Sequence, residues 1–211
     1  MALVVKNLEN AFKKVFSDMK EAGENATDKD FSEGISKAVK DYIDAGNITT
    51  VDKGTVSSGA FVGAGTGSTT SKDSLMDNVV LPATVTMKEM TSGGDNVLAT
   101  AIFNGLKALH QASEVNTDIT GTTISPQGSS VPPTSGKGKG TGLTCIDSGF
   151  VASVNQIFSD MNTRRDEEGF DGDAYLAEQL AIVTNNYIAT GTVITSGQGV
   201  LTGVTGNGKI A

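Results

Sequence analysis

Apolar residues recur at three- and four-residue steps in two stretches near the start of the chain and in two near its end. Val4, Leu8, Phe12, Val15 and Met19 share one face of a helix predicted over residues 3–19, with Val5 and Phe16 widening the stripe. Gly23 supplies a stop, and Thr27-Asp28-Lys29-Asp30 has the form of an N-terminal cap. A second helix follows with Phe31, Ile35, Val39 and Tyr42/Ile43 on one face, ended by Gly46, so the two form an antiparallel helix hairpin. The period then changes. Residues 47–51 and 55–62 are Thr/Val-rich runs around Asp52-Lys53-Gly54 and predict a β-hairpin, with 63–68 as a glycine-rich loop behind it.

The last third restores this order. Val151, Val154, Phe158 and Met161 fall in helical register behind a cap at Asp147 or Ser148, and a second stripe carries Tyr175/Leu176, Leu180, Val183 and Tyr187 behind Asp171 or Asp173. Residues 192–195 and 200–204 flank a Ser-Gly-Gln-Gly turn. Words repeat as well as periods. Ile157-Phe158-Ser159-Asp160-Met161 matches Val15-Phe16-Ser17-Asp18-Met19, and Asn186-Tyr187-Ile188-Ala189-Thr190-Gly191 answers Asp41-Tyr42-Ile43-Asp44-Ala45-Gly46. The middle is a weaker copy: Pro82 breaks the helix expected over 74–90, Leu98, Ile102, Leu106 and Leu109 mark a clear one, and 118–124 reads as strand and turn. Residues 125–142, with Pro126, Pro132 and Pro133 among Gly, Ser and Lys, read as an extended arm.

The expected fold is therefore α+β: a tandem repeat of helix-hairpin plus β-hairpin units over 1–70, 71–142 (degenerate, carrying the arm 125–142) and 143–211. Such units allow a pseudo-threefold monomer or a linear array.

Composition narrows the function by exclusion. With 24 acidic against 16 basic residues the formal charge is −8, which offers little to a phosphate backbone, and the pairs Lys13-Lys14, Arg164-Arg165 and Lys137/Lys139 read as solvated positions. No direct nucleic-acid partner is expected. Cys145 is the single cysteine and His110 the single histidine, too few for an intrachain disulfide or a Cys/His zinc site. His110 reads as a surface or packed side chain at a helix end, and Cys145 as packing. The opening segment Met1–Lys6 has no secretory core and no apolar run reaches the roughly 18 residues that span a bilayer, so a soluble, cytoplasmically made chain with no membrane partner is expected.

Two motifs invite chemistry and fail on detail. Gly203-Val204-Thr205-Gly206-Asn207-Gly208-Lys209 follows a phosphate-binding loop for seven positions, but the eighth is Ile210 where a metal-binding hydroxyl is required. The acidic run 166–173 holds five carboxylates, yet its spacing is not that of a calcium loop. No catalytic, cofactor-binding or metal-binding residue is assigned, and no cofactor is expected. An enzyme is not expected.

The tandem Phe-Ser-Asp-Met words, the Thr/Gly-rich hairpins and the near absence of Cys, Trp and His resemble bacteriophage virion proteins over the whole length. That resemblance implies a non-enzymatic structural subunit of a phage-like particle, a head-decoration, neck or tail component, made in the host cytoplasm and located in the virion. Its partners would be further copies of itself and neighbouring virion proteins, met through hairpin edges and the extended arm. The alternatives are a surface adhesion module and a small ligand-binding domain whose site forms only in three dimensions.

Overall fold

The computed structural model describes residues 3–72, 74–90, 92–147 and 149–211, with the side chains of 132 and 133 left aside. Met1, Ala2 and Ser148 of the sequence reading lie outside these. Among the described residues the order of elements is α1 (Val5–Ala22), α2 (Asp28–Asp44), β1 (Asn47–Val56), β2 (Gly59–Thr70), α3 (Ser74–Lys88), α4 (Gly94–Gln111), β3 (Glu114–Ile124), β4 (Ser130–Thr141), α5 (Phe150–Arg164), α6 (Gly172–Ile188), β5 (Thr192–Gly197) and β6 (Val204–Ile210).

Local chemistry explains the helix ends. Thr27 and Asp30 form a reciprocal capping box at the start of α2: the Asp30 N–H donates to Thr27 Oγ1 at 3.2 Å, and the Thr27 N–H to Asp30 Oδ2 at 2.9 Å. Asp171 caps α6 by accepting the Ala174 N–H at 3.0 Å. Each helix lies against the next, α1 to α2 through α5 to α6, and α6 returns to α1, so the six close into a ring. Leu8, Phe12, Ile35, Ile43, Met76, Leu106, Leu109, Val154 and Leu180 fill its centre.

The expected row of separate helix-hairpin and β-hairpin units is overturned by the strands. They pair antiparallel in the order β1-β2-β3-β4-β5-β6, and β6 pairs with β1, so the sheet is one closed barrel. Every hairpin gives its outer strands to the other two hairpins. None stands as a unit of its own. Backbone groups left unpaired at a hairpin's edge would otherwise remain as a template for further pairing, and closure removes that edge.

Closure also reassigns the glycine-rich segments. The turn between β1 and β2 is Ser57-Ser58, so Asp52-Lys53-Gly54 is strand, and the loop expected over 63–68 is the body of β2. Of the arm expected over 125–142, residues 130–141 are β4, paired along most of β3, with a register shift opposite the two prolines where no N–H can be donated. The segment that mimics a phosphate-binding loop is β6. Pro82 sits inside α3 rather than breaking it, and the Oγ1 of Thr86 donates to the Pro82 carbonyl at 2.9 Å.

A barrel of six strands is narrow, and glycine is what lets it close around side chains. Inward positions of β2, β4 and β6 include Gly65, Gly138 and Gly206; each faces a threonine across its hairpin, in the pairs Thr50↔Gly65, Thr117↔Gly138 and Thr195↔Gly206. A Cβ at these glycines would stand 2.4, 2.5 and 2.4 Å from the facing threonine hydroxyl, well inside van der Waals contact. Below this layer Ile48, Val115, Val193 and Ile210 join the core of the helix ring, and above it Val56, Phe61, Ile119, Leu201 and Val204 form a second apolar cluster. The barrel thus stands with one mouth on the helices and is filled throughout by side chains.

Candidate functional site

The outside of the barrel differs in chemistry from the charged surface of the helices. Strand alternation that turns Thr50 and Asp52 inward turns Thr49, Val51 and Lys53 outward. Register then sets the row across four strands: Ala64 beside Val51, Val51 beside Asn207, and Asn207 beside Ile194. Neighbouring strands lie about 4.8 Å apart, so these side chains form one band about 14 Å wide. Val51 is 58% exposed and Ile194 65% exposed, and Val62, two residues along β2 from Ala64, is 51% exposed. Around them stand the exposed threonines 49, 66, 122 and 205. Beside Ile194, where β4 and β5 share only two residue pairs, an open cleft of about 510 Å³ is lined by Glu114, Asn116, Lys139, Thr141, Ile194 and Ser196.

Charge is distributed unevenly between barrel and helices. The six strands hold four lysines and three acids, so helices and connections carry the other 12 cations and 21 acids of the chain. One of the strand acids, Asp52, is wholly buried. On the outward positions of β1, β2, β5 and β6 the only charged residues are Lys53 and Lys209.

The residues singled out from the sequence have structural employments. His110, buried at the end of α4, is held by two hydrogen bonds: its Nδ1–H donates to the Leu143 carbonyl at 2.8 Å, and its Nε2 accepts the Tyr187 hydroxyl at 2.7 Å. A carbonyl can only accept, which fixes that tautomer. Phe103 and Phe150 pack on the Tyr187 ring with centroids 5.5 and 5.8 Å away. Burial lowers the His110 pKa and raises that of Tyr187, so both are neutral and the cluster pins α4, α6 and the 143 connection together. Cys145 is half-buried, and desolvation pushes its thiol up to about 12, the opposite of an activated nucleophile.

In the acidic run, Asp171 is the cap of α6, Glu167 pairs with Arg164 at 3.0 Å, and the Arg164 guanidinium lies 4.4 Å from the centre of the Phe170 ring. Lys13 pairs with Glu9 at 2.8 Å, Lys14 with Asp18 at 2.8 Å, and Lys137 with Asp118. Among the described residues no three His, Cys, Asp or Glu side chains stand where they could share a metal ion, and no helix is long and apolar enough to cross a membrane.

Sequence reasoning leaves the outer band incomplete because it reads 63–68 as a loop and ends the last strand at 204, short of the β6 residues 205–210. A signal was present in glycines at alternate positions (Gly63, Gly65 and Gly67; Gly136, Gly138 and Gly140; Gly206 and Gly208), which is the two-residue period of a strand. No protein-family model matches the chain, and neither does any curated protein or solved structure.

Proposed function

We propose that this chain is a non-enzymatic structural subunit of a phage-like particle, a head-decoration, neck or tail component, that associates with further copies of itself and with neighbouring particle proteins. The observation that supports this most directly is the aliphatic and threonine band on β1, β2, β5 and β6, exposed and free of acidic residues. Two copies of a chain with formal charge −8 repel each other over most of their surface, and the helices and connections carry that excess. The band is where copies can approach without setting carboxylate against carboxylate, Lys53 and Lys209 being its only charged residues, and burying Val51, Val62 and Ile194 then supplies the attraction. A closed barrel leaves side-chain packing across this face, rather than strand addition at a hairpin edge, as the means of contact.

The test is light scattering over a concentration series with negative-stain imaging, comparing the chain with the double variant Val51→Lys/Ile194→Lys. The expected result is a mass above 21.6 kDa that grows with concentration, forming rings, sheets or tubes, and its loss in the variant at an unchanged melting temperature. A chain that stays at 21.6 kDa throughout, or a variant that assembles like the parent, would overturn self-association through this face.

A further inference from the structure

The band is one side of a contact, and the helix pair α1–α2 carries a surface that matches it. Ala11, Val15, Met19 and Ala22 recur at three- and four-residue steps along α1, and Gly34 and Ala38 stand about one turn apart on α2. They line a groove between the two helices, with a hollow of about 370 Å³ around Val15 and Gly34 and one of about 210 Å³ around Ala11 and Ala38. Gly34 lets the helices come close, since a Cβ there would stand 2.8 Å from Val15 Cγ1. The floor is apolar, and the charged residues that line the groove are four acids, Asp18, Asp30, Glu33 and Asp41, and one cation, Lys37.

Band and groove are complementary in charge. None of the ion pairs among the described residues includes Lys53 or Lys209. A band laid on another band would bring four lysines together with no carboxylate between them, whereas the groove offers carboxylates beside an apolar floor. The rim acids are engaged only by exposed lysines of their own helices: Asp18 by Lys14 at 2.8 Å, Glu33 by Lys29 at 3.3 Å and Asp41 by Lys37 at 2.7 Å. Such exposed pairs hold weakly, so these carboxylates remain open to a second cation. Spacing agrees as well. Lys53 stands opposite Thr205, and Lys209 is four residues further along β6, which sets the two lysines about 14 Å apart. Glu33 and Asp41, eight residues apart on α2, are separated by about 12 Å along its axis.

We infer that the partner of the band is the α1–α2 groove of a second copy of this chain, with Val51, Val62 and Ile194 on its apolar floor and Lys53 and Lys209 against Glu33 and Asp41. This rests on the reading of the band as an assembly surface. Band and groove are different surfaces of one chain, so the contact is head-to-tail. Every copy that joins brings one further groove or band, and the assembly closes into a ring or runs on as a filament.

The experiment is charge reversal on each side of the contact, followed by mixing, with light scattering as the readout. Glu33→Lys/Asp41→Lys alone and Lys53→Glu/Lys209→Glu alone are each expected to stay near 21.6 kDa at concentrations where the parent chain assembles. An equal mixture of the two is expected to assemble again, because each band then meets a groove of opposite charge. Should a reversed chain fail to fold, Glu33→Gln/Asp41→Asn takes its place and is expected to weaken assembly at an unchanged melting temperature. A groove variant that assembles like the parent, while Val51→Lys/Ile194→Lys does not, would overturn the groove and leave the band paired with another surface. Two folded reversed variants that stay apart when mixed would overturn it too. Assembly of Val51→Lys/Ile194→Lys like the parent would instead remove the band reading on which the inference stands.

Discussion

The facing Thr–Gly pairs make a quantitative prediction at Thr117 and Gly138. A Cβ added to Gly138 would stand 2.5 Å from Thr117 Oγ1 and 2.8 Å from Ile119 Cδ1, where ordinary contact begins at 3.4 Å. Both obstacles are side-chain atoms, so the site yields by pushing Thr117 and Ile119 off their rotamers rather than by breaking the ladder. Overpacking of that kind costs about 1–3 kcal/mol. Replacing glycine by alanine also restricts the unfolded chain, which returns about 0.4–1 kcal/mol. Gly138→Ala should therefore destabilise by about 1–2 kcal/mol, or about 2–8 °C in melting temperature for a chain of this size.

Thr117→Ala removes the obstructing hydroxyl, which has no partner, and one methyl group worth about 0.8 kcal/mol of burial. In the double variant the new methyl occupies the space the hydroxyl leaves. Its stability should exceed the sum of the single effects by at least about 1 kcal/mol in a urea-denaturation cycle. Gly172→Ala serves as control: its nearest neighbours, Met161 Cε and Phe170 Cε1, are 3.6 and 3.7 Å away, and no loss is expected there. Single effects at 117 and 138 that add to within about 0.5 kcal/mol would show that the two positions do not share space inside the barrel, and the account of why the barrel is rich in glycine would fall.

Two further outcomes follow from the buried titratable groups. Burial lowers the His110 pKa below its ordinary 6.5, so in acid the unfolded chain binds a proton that the folded chain refuses. Stability should accordingly be full above pH 6.5 and fall as the pH drops below it, by up to about 1.4 kcal/mol per pH unit, while His110→Gln flattens that slope in urea titrations at pH 5–8. At pH 8 a thiol at about 12 is ionised in only about one molecule in ten thousand, so iodoacetamide should alkylate Cys145 in the folded chain roughly a thousandfold more slowly than after unfolding, as followed by mass spectrometry. Equal rates would place Cys145 in open solvent.

What the sequence determined by itself is the part of the protein governed by neighbours along the chain. The stripe of Leu8, Phe12 and Phe16, the capping box at Thr27 and the cap at Asp171 depend on contacts three or four residues away, and they stand where periodicity puts them. What only the tertiary structure decided is how the strands pair. β6 meets β1 across some 150 residues of chain, and whether three hairpins stay apart or share edges depends on register between distant segments that no local pattern encodes. The repeated words show the same limit: Phe16 is buried and Phe158 only partly so, and Tyr42 donates to Asn185 whereas Tyr187 donates to His110. Glycine is ambiguous in the sequence for the same reason. A loop needs it for backbone freedom, whereas this barrel needs it for the absent side chain, and only the residue facing it across the sheet distinguishes the two. Asp52 Oδ1 and Thr195 Oγ1, neither with a hydrogen-bond partner among the described residues, come from strands about 140 residues apart, and barrel closure alone sets them on either side of Gly206.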